Sequence, residues 1–257
     1  MTPREVALTL IGGPTLVIEV GGVRLLTDPT FDPPGKYVLP HVTLEKRAGP
    51  AIALDALGKV DAVLLSHDQH ADNLDNAGRV LLARVPAVFT TRTGCARLGG
   101  TAHGLAPWET VDCAGAGGHV RVTATPARHG PVGIEPMSGD VIGFVVGTDA
   151  PGDAIYVTGD TVWYDGVAEV ARRFAPRLVV LFTGAAKTRG SVHLTMDSND
   201  AIEAAHAFPD AQLVAIHNDS WGHFTESGED LAKAFTLLGL GERLHVLRSG
   251  VRTVLTI

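Results

Sequence analysis

One stretch of the chain decides its fold: Leu64-Leu65-Ser66-His67-Asp68-Gln69-His70-Ala71-Asp72-Asn73-Leu74-Asp75. The residues leading into it, Val60 to Leu65, are apolar except for Asp61, which is the composition of a buried strand. The residues that follow, Leu74 to Ala83, carry apolar side chains at helical spacing. The histidines and acids are therefore expected on a strand-to-helix loop, at the carboxyl edge of a sheet, where open α/β folds place their sites.

This loop has two interpretations. Ser66, Asp68 or Asp72 could cap the following helix, because short oxygen-bearing side chains accept the free amide hydrogens of its first turn. Capping alone does not explain two histidines and two acids within six residues, directly behind an apolar strand. Imidazole and carboxylate are the ligands that zinc, manganese and iron take from proteins. A metal site is therefore the favoured interpretation.

Length and composition fit one α/β domain spanning residues 1–257. Of the 257 residues 45% are hydrophobic, so the chain can bury a sizeable core, and no linker or block of charge divides it. The net charge is −7 and the basic residues are scattered, which gives no electrostatic footprint for nucleic acid or an anionic membrane. A small molecule is the expected partner, and a homo-oligomer is left open.

The N-terminal segment and the cysteines favour a cytoplasmic location. Residues 1–10 include Arg4 and Glu5 and lack the apolar core and cleavage site of a signal peptide. No stretch approaches the ~20 apolar residues that a membrane-spanning helix needs. The two cysteines, Cys95 and Cys113, form no C-x-x-C motif, so a disulfide framework is not indicated.

The chain begins with a predicted meander of three strands, Val6–Ile11, Thr15–Val20 and Val23–Thr27. The Gly-Gly pair between the second and third strands is a hairpin signal. The meander ends at Asp28 because the proline after it cannot donate to a strand ladder. Asp28 is either a turn former or a residue that points into the site.

The next segment, Thr30 to Pro50, is expected to be a long, proline-rich loop. Long structureless loops in compact domains tend to be functional or mobile. The segment is therefore a candidate wall or lid over the site.

Three later strands also end in residues that bind metals. His129 follows the strand Val120–Ala124, Asp160 follows 154–158 and His217 follows 211–216. Four strand ends with ligand-type residues argue for one convergent site. The remaining predicted strands are 87–90, 141–146, 178–182, 244–247 and 253–257, and the remaining predicted helices are 95–98, 167–174, 198–207 and 227–238.

The order of a His-rich loop, then His, Asp and His, behind a Gly-Gly meander that ends in Thr27-Asp28-Pro29, resembles the metallo-β-lactamase fold superfamily. Within it, the chain is similar to the branch that includes ascorbate-6-phosphate lactonase and N-acyl-phosphatidylethanolamine phospholipase D. The resemblance extends over nearly the whole chain, including Trp221-Gly222-His223-Phe224. It implies a four-layer αβ/βα sandwich with metals at one edge of two packed sheets.

The chain departs from the family pattern H-x-H-x-D-H in the central loop. Aligned from the strand, His67 takes the first place and Gln69 falls on the second. Aligned from Asp72, His70 takes the second place and Asp68 replaces the first histidine. In both alignments the last histidine is absent, and in the second Asn73 takes its place.

The resemblance implies one or two divalent ions, zinc or manganese. A firm site would use His67 and/or His70 with His129 and Asp160. A weaker second site would use Asp72, Asp160 and His217, since the missing histidine normally belongs to the second metal.

The resemblance implies hydrolysis. A divalent ion lowers the pKa of bound water from about 15.7 towards ~7 and so supplies hydroxide at neutral pH. Asp72 would orient the hydroxide or take its proton, and His223 could protonate a leaving group. The candidates for substrate contact are Asp28, Tyr164, Lys187 and Trp221.

Three functions are consistent with these residues. The first is a hydrolase of a lactone or a related ester or amide. The second is a phosphodiesterase of the same fold, which is less favoured because only Arg128, Lys187 and Arg189 adjoin the motifs. The third is a metal-binding or ligand-binding protein without catalysis, suggested by Gln69 and Asn73 at places where ligands are expected.

Overall fold

The computed structural model describes residues 4–39, 41–188 and 190–257. Arg189, one of the three cations considered above, lies outside the described residues, as does Pro40 within the predicted loop. In the described part of the chain, no helix has the length and apolar character needed to cross a bilayer.

Two seven-stranded sheets form the centre of the molecule. The first sheet contains, in spatial order, β16 (Arg252–Thr256), β1 (Glu5–Gly12), β2 (Thr15–Val20), β3 (Val23–Thr27), β6 (Ala62–Leu64), β7 (Val88–Thr91) and β8 (Ala102–Leu105). The second contains β15 (Leu244–His245), β14 (Gln212–Ile216), β13 (Leu178–Phe182), β12 (Ile155–Val157), β11 (Ile142–Gly147), β10 (Gly118–Pro126) and β9 (Thr110–Gly115).

Helices pack on the outer faces of the two sheets. A separate two-stranded hairpin follows β3 in the chain. The helices are α1 (Asn76–Leu82), α2 (Arg92–Leu98), α3 (Glu135–Ser138), α4 (Asp165–Arg173), α5 (Ser198–Ala207) and α6 (Gly228–Leu237), with 3₁₀ turns at Leu54–Ala56 and Gly241–Arg243. The hairpin pairs β4 (Gly35–Val38) with β5 (Thr43–Lys46).

The central strands are apolar on both faces because both of their faces are covered. In β13, Val180 and Phe182 pack between the two sheets, whereas Val179 and Leu181 pack under α4 to α6. Alternate residues of a strand point to opposite faces, so a strand covered on both sides needs apolar residues throughout. The predicted four-layer αβ/βα sandwich is confirmed.

Strand direction brings the predicted ligands to one edge. β12, β13 and β14 run parallel to each other, and β10 runs in the same direction because β11 is antiparallel to both β10 and β12. β3 and β6 are parallel in the other sheet. The loops after β6, β10, β12 and β14 carry the residues predicted as ligands.

Several predicted elements were wrong in extent. Residues 30–50 are not a structureless loop but contain the hairpin of β4 and β5. The helix after the central loop begins at Asn76 because Asp75 is its cap and accepts from the Gly78 amide at 2.8 Å. None of the three cap candidates named above fills that position, so the residues of the loop are left for other roles.

Two further strands were missed and other ends shifted. β8 and β9 lack a clear run of β-branched or aromatic residues, so no strand signal could be read there. The predicted strand 244–247 is limited to Leu244–His245, and α2 starts at Arg92 instead of Cys95.

Candidate metal centre

The central loop is fixed from below by Asp28. Its Oδ1 accepts from the Ser66 amide at 2.6 Å, and its Oδ2 accepts from Ser66 Oγ at 2.6 Å and from Asn73 Nδ2 at 3.1 Å. Asp28 is fully buried and stands at φ 22, immediately after β3. The predicted substrate contact for Asp28 is therefore corrected: its carboxylate joins the two ends of the loop and does not face a pocket.

The loop turns Asp68 and Gln69 away from His67 and His70. Arg97 Nε donates to Asp68 Oδ2 at 2.9 Å, and Gln69 Nε2 donates to the carbonyls of Ser138 and Asp140. With these two side chains turned outward, His67 Nε2 and His70 Nδ1 meet at 2.8 Å. Both histidines of the loop therefore face the same point.

Two neutral hydrogen-bond partners orient the histidines. His129 Nδ1 lies 2.8 Å from the carbonyl oxygen of Leu194, and a carbonyl only accepts, so Nδ1 carries the proton and Nε2 has a free lone pair. His67 Nδ1 lies 2.9 Å from Ser66 Oγ, which directs its Nε2 inward. Imidazoles held in this way are prepared to bind a metal.

His67 and His70 stay neutral at physiological pH beside His129, whose Nε2 is 3.2 Å from His70 Nδ1. Burial, together with the charge of His129, lowers the pKa of His70 to about 4, and burial with the charge of His70 holds the pKa of His67 well below its usual range. Neutral imidazole is the form that binds metal. We call His67, His70 and His129 the histidine half of the centre.

Two carboxylates and a fourth histidine form what we call the acidic half: Asp72, Asp160 and His217. His217 Nε2 lies 3.2 Å from Asp160 Oδ1 and 3.8 Å from Asp72 Oδ2. The other oxygen of Asp160, Oδ2, lies 3.5 Å from His129 Nε2. Asp160 therefore directs one oxygen to each half.

Buried polar atoms that make no hydrogen bond indicate whether a cation fits this cluster. Both oxygens of Asp160 and both ring nitrogens of His217 are buried, and none makes a hydrogen bond within the described ranges. Burial alone would raise the pKa of Asp160, but His217 and His129 hold it well below its usual range, so the carboxylate is charged. A buried carboxylate whose oxygens accept no hydrogen bond is costly unless a cation lies beside it. Imidazole and carboxylate donors within 4.8 Å of one another in each half suit zinc or manganese.

His217 also has an unusual backbone conformation. Its φ is 61, in the left-handed region, and its amide donates to the carbonyl of Gly13 at 3.0 Å. Non-glycine residues occupy this region at a cost, and such residues cluster at functional sites. The contact with Gly13 aims the imidazole at Asp160 from the opposite side of the centre to His129.

A small pocket of about 90 Å³ opens directly above both halves. His70, Asp72, His129 and His223 form its polar floor, and His223 Nε2 lies 2.9 Å from Asp72 Oδ2. The walls come from the β4–β5 hairpin, from the segment around α3 and from Ala186, Thr188 and Leu194. The lining residues other than those of the floor are Leu39, Val42, Leu44, Ile134, Met137, Ser138, Ala186, Thr188 and Leu194.

The predicted wall in residues 30–50 is consistent with this pocket, but most lining residues were not predicted. Ile134 caps a four-residue helix and Met137 lies within it, and so short an element has no periodic pattern of apolar residues. The only signal was the run Ile134-Glu135-Pro136-Met137 behind a histidine at a strand end.

Three residues predicted for substrate contact lie outside the pocket. Trp221 is buried beside Tyr37, with ring centroids 5.3 Å apart, because its backbone bridges to Lys46. Tyr164 lies under the guanidinium of Arg128, 4.4 Å from its ring centroid, and Lys187 is exposed. None of the three lines the pocket, so these predictions are corrected.

Comparison with known proteins defines the class. The Beta-lactamase superfamily domain matches residues 23–218, and the chain belongs to this superfamily. The protein YddR of Bacillus subtilis is 26% identical over 251 residues, which are 95% of this chain and 97% of that protein. A metal-dependent hydrolase of Cupriavidus metallidurans is 28% identical over 204 residues, covering 69% of this chain and 67% of the relative.

Among solved structures, the isothiocyanate hydrolase from Delia radicum gut bacteria is similar, with a TM-score of 0.82 and 24% identity. The match covers 98% of this chain and 100% of that one. It supports the metallo-β-lactamase fold. The narrower resemblance to the lactonase branch stays a prediction, as do the cytoplasmic location and the homo-oligomer.

Proposed function

We propose that this metal-dependent hydrolase of the metallo-β-lactamase fold acts on a small, uncharged ester, lactone or amide that carries an apolar group. The observation that supports this most strongly is the pocket. Its walls are mostly apolar and its polar floor includes residues of both halves, so a bound substrate would have its reacting group at the metal centre and its apolar group against Leu44 and Leu194.

The roles of the residues follow from their placement. His67, His70 and His129 would hold one divalent ion, Asp72 and His217 would hold a second, and Asp160 would contact both. When bound, such ions supply a water of lowered pKa and polarise the bond under attack.

Asp72 is the candidate proton acceptor. Its carboxylate lines the pocket floor, where it can orient an attacking water. Burial alone would raise the pKa of Asp72, but His223 and His217 hold it well below its usual range. It is therefore ionised at neutral pH, as an acceptor of the proton from that water must be.

A phosphodiester is a less suitable substrate because its charge would have no cationic partner. Among the described residues that line the pocket there is no lysine or arginine. Arg128 stacks on Tyr164 and donates to the carbonyl of Gly130 at 3.0 Å, while Lys187 points to solvent. Desolvating a phosphodiester against apolar walls without such a partner is unfavourable.

A second candidate substrate is an isothiocyanate, the class named for one structural relative. Isothiocyanates are small and uncharged. Their electrophilic carbon can be attacked by water when it occupies the position in the pocket that an acyl carbon would take. The apolar pocket walls favour this class for the same reason as they favour esters.

The test is hydrolysis by the metal-loaded protein of a short-chain p-nitrophenyl ester, a γ-lactone, an isothiocyanate and bis-p-nitrophenyl phosphate. We expect turnover of at least one of the first three and at least about tenfold lower kcat/KM for the phosphodiester, a difference of about 1.4 kcal/mol. Turnover should be lost in His129→Ala and retained in His206→Ala, which changes an exposed histidine of α5. Metal binding without turnover of any substrate would instead support the non-catalytic function.

A further inference from the structure

The acidic half lacks the histidine that the family motif normally supplies. Asn73 occupies that place, and its Nδ2 donates to Asp28 Oδ2, below the loop. Asn73 is fully buried, so its amide has little freedom to turn. The acidic half therefore has one nitrogen donor, His217, beside two carboxylates, whereas the histidine half has three.

A different histidine reaches this half from another element. His223 follows β14 by seven residues and projects its Nε2 to 2.9 Å from Asp72 Oδ2. The same Asp72 oxygen lies 3.8 Å from His217 Nε2. Donors around one tetrahedral ion, with bonds of about 2.0–2.2 Å, are separated by about 3.4 Å. Asp72 Oδ2 therefore lies near the Nε2 atoms of both histidines, with one distance just below and one just above this donor spacing.

The position of His223 is fixed by its surroundings. Phe224 contacts both imidazoles, with ring centroids 4.6 Å from His223 and 4.8 Å from His217. The backbone carbonyl of His223 accepts from the Lys187 amide at 3.0 Å. The side chain is only 8% exposed, and its second nitrogen, Nδ1, is buried without a hydrogen bond in the described part of the chain. These contacts leave Nε2 facing the acidic half.

We propose that His223 is a ligand of the second metal ion and replaces the motif histidine whose place Asn73 takes. This inference rests on the proposed metal-dependent function and changes the role of His223 from the leaving-group acid expected above. The acidic half then offers Asp72, Asp160, His217 and His223, two carboxylates and two imidazoles, to its ion.

The experiment measures metal binding and not turnover. Chelator-stripped protein is titrated with Zn²⁺ against a competing chromophoric chelator, and the Co²⁺-loaded protein is examined by absorption in the d–d region. Wild type should bind two ions. His223→Ala should retain the first ion and bind the second at least about tenfold more weakly, with a changed Co²⁺ spectrum.

His206→Ala is the matched control, because His206 is exposed on α5 and does not line the pocket. It should bind both ions as wild type does. His223→Gln, which keeps a polar group of similar length, is the second variant if His223→Ala unfolds, and it should show the same weakened second ion.

A rescue separates a ligand from a structural residue. Asn73→His in the His223→Ala background restores an imidazole at the usual family position, and we expect the second ion to regain affinity. Two ions bound with unchanged affinity and spectrum by His223→Ala, or a wild-type protein with one ion that His223→Ala does not affect, would overturn the inference. Two bound ions without turnover would contradict the proposed function and leave the inference standing.

Discussion

The histidine half and the acidic half of the centre lie within one pocket but are prepared for a metal in different ways. In the histidine half, neutral partners hold the rings of His67 and His129, and the pKa of His70 is lowered to about 4. In the acidic half, burial would lower the pKa of His217, but Asp160 and Asp72 raise it above its ordinary value. His67 and His70 therefore have no proton to release at neutral pH, whereas His217 exchanges a proton for its ion.

The two halves also differ in the elements that supply their donors. The histidine half takes two donors from the central loop and the third from His129, whose orientation is set by the backbone of Leu194. The acidic half depends on charge, and its donors come from three separate loops. In the proposal above, His223 on the loop after β14 supplies the imidazole that Asn73 does not.

Removal of Asp160 should have the largest effect because it serves both halves. Asp160→Ala leaves His217 without its 3.2 Å partner and removes the carboxylate oxygen 3.5 Å from His129. We expect at least about a hundredfold weaker binding of each ion and loss of turnover. Elemental analysis and Zn²⁺ titration measure this, with Asp210→Ala, at an exposed position, as the control. Retention of one tightly bound ion would show that the two halves are independent.

Asp28 supports both halves and should make the stability of the metal-free protein depend on pH. Burial raises the pKa of Asp28 to about 7, although hydrogen bonds from Ser66 oppose the shift. A carboxyl group whose pKa is raised on folding makes its full contribution to the free energy of unfolding below about pH 4. This contribution, about 4 kcal/mol, is lost as the pH rises through about 7.

Asp28→Asn has no proton to lose, so its stability relative to wild type should increase as the pH rises from about 5 to about 8. Urea unfolding of both metal-free proteins across this range gives the difference directly. A difference that is constant with pH would mean that Asp28 does not keep its proton in the folded protein.

The two halves should also differ in the pH dependence of metal binding. The lowered pKa values of His67 and His70 mean that these two ligands release no proton above about pH 6, so the affinity for the first ion should rise less steeply with pH than the affinity for the second. The raised pKa of His217 means that its proton must leave, and affinity should rise by up to about tenfold per pH unit. Calorimetric titration at several pH values tests this. If the affinities for the two ions changed equally with pH, the two halves would not differ in the protons they release.

The smallest effect is expected from Ser66→Ala. The hydroxyl lies 2.9 Å from His67 Nδ1 and donates to Asp28, so its loss frees the His67 ring to turn. We expect about tenfold weaker binding of the first ion and less change in the second. Ser198→Ala, which removes a 2.6 Å hydrogen bond to Glu226 elsewhere, is the matched control. An equal loss from both ions would show a general destabilisation of the loop.

The strands and the edge that carries the site could be predicted because both signals are local. A strand covered on two faces, such as β13 at Leu178–Phe182, is apolar throughout, and a His or Asp directly after such a strand has a defined place at the sheet edge. His129, Asp160 and His217 were placed at this edge in this way, and the structure puts them on the loops after β10, β12 and β14.

The arrangement of the central loop and of the pocket could not be predicted because it depends on contacts distant in sequence. Asp68 is turned outward by Arg97, and Gln69 by the backbone around Asp140. Trp221 was predicted at the substrate, but its pairing with Lys46 buries it. Strand β4 of the hairpin has no alternating pattern, since three of its four residues are exposed.

The most direct test of a two-ion centre is the metal content of the protein, purified without chelator and supplied with zinc or manganese. We predict about two ions per chain by elemental analysis, falling to about one in His223→Ala. A metal content near zero in the folded wild-type protein, unchanged by His129→Ala after reconstitution with metal, would contradict a two-ion centre.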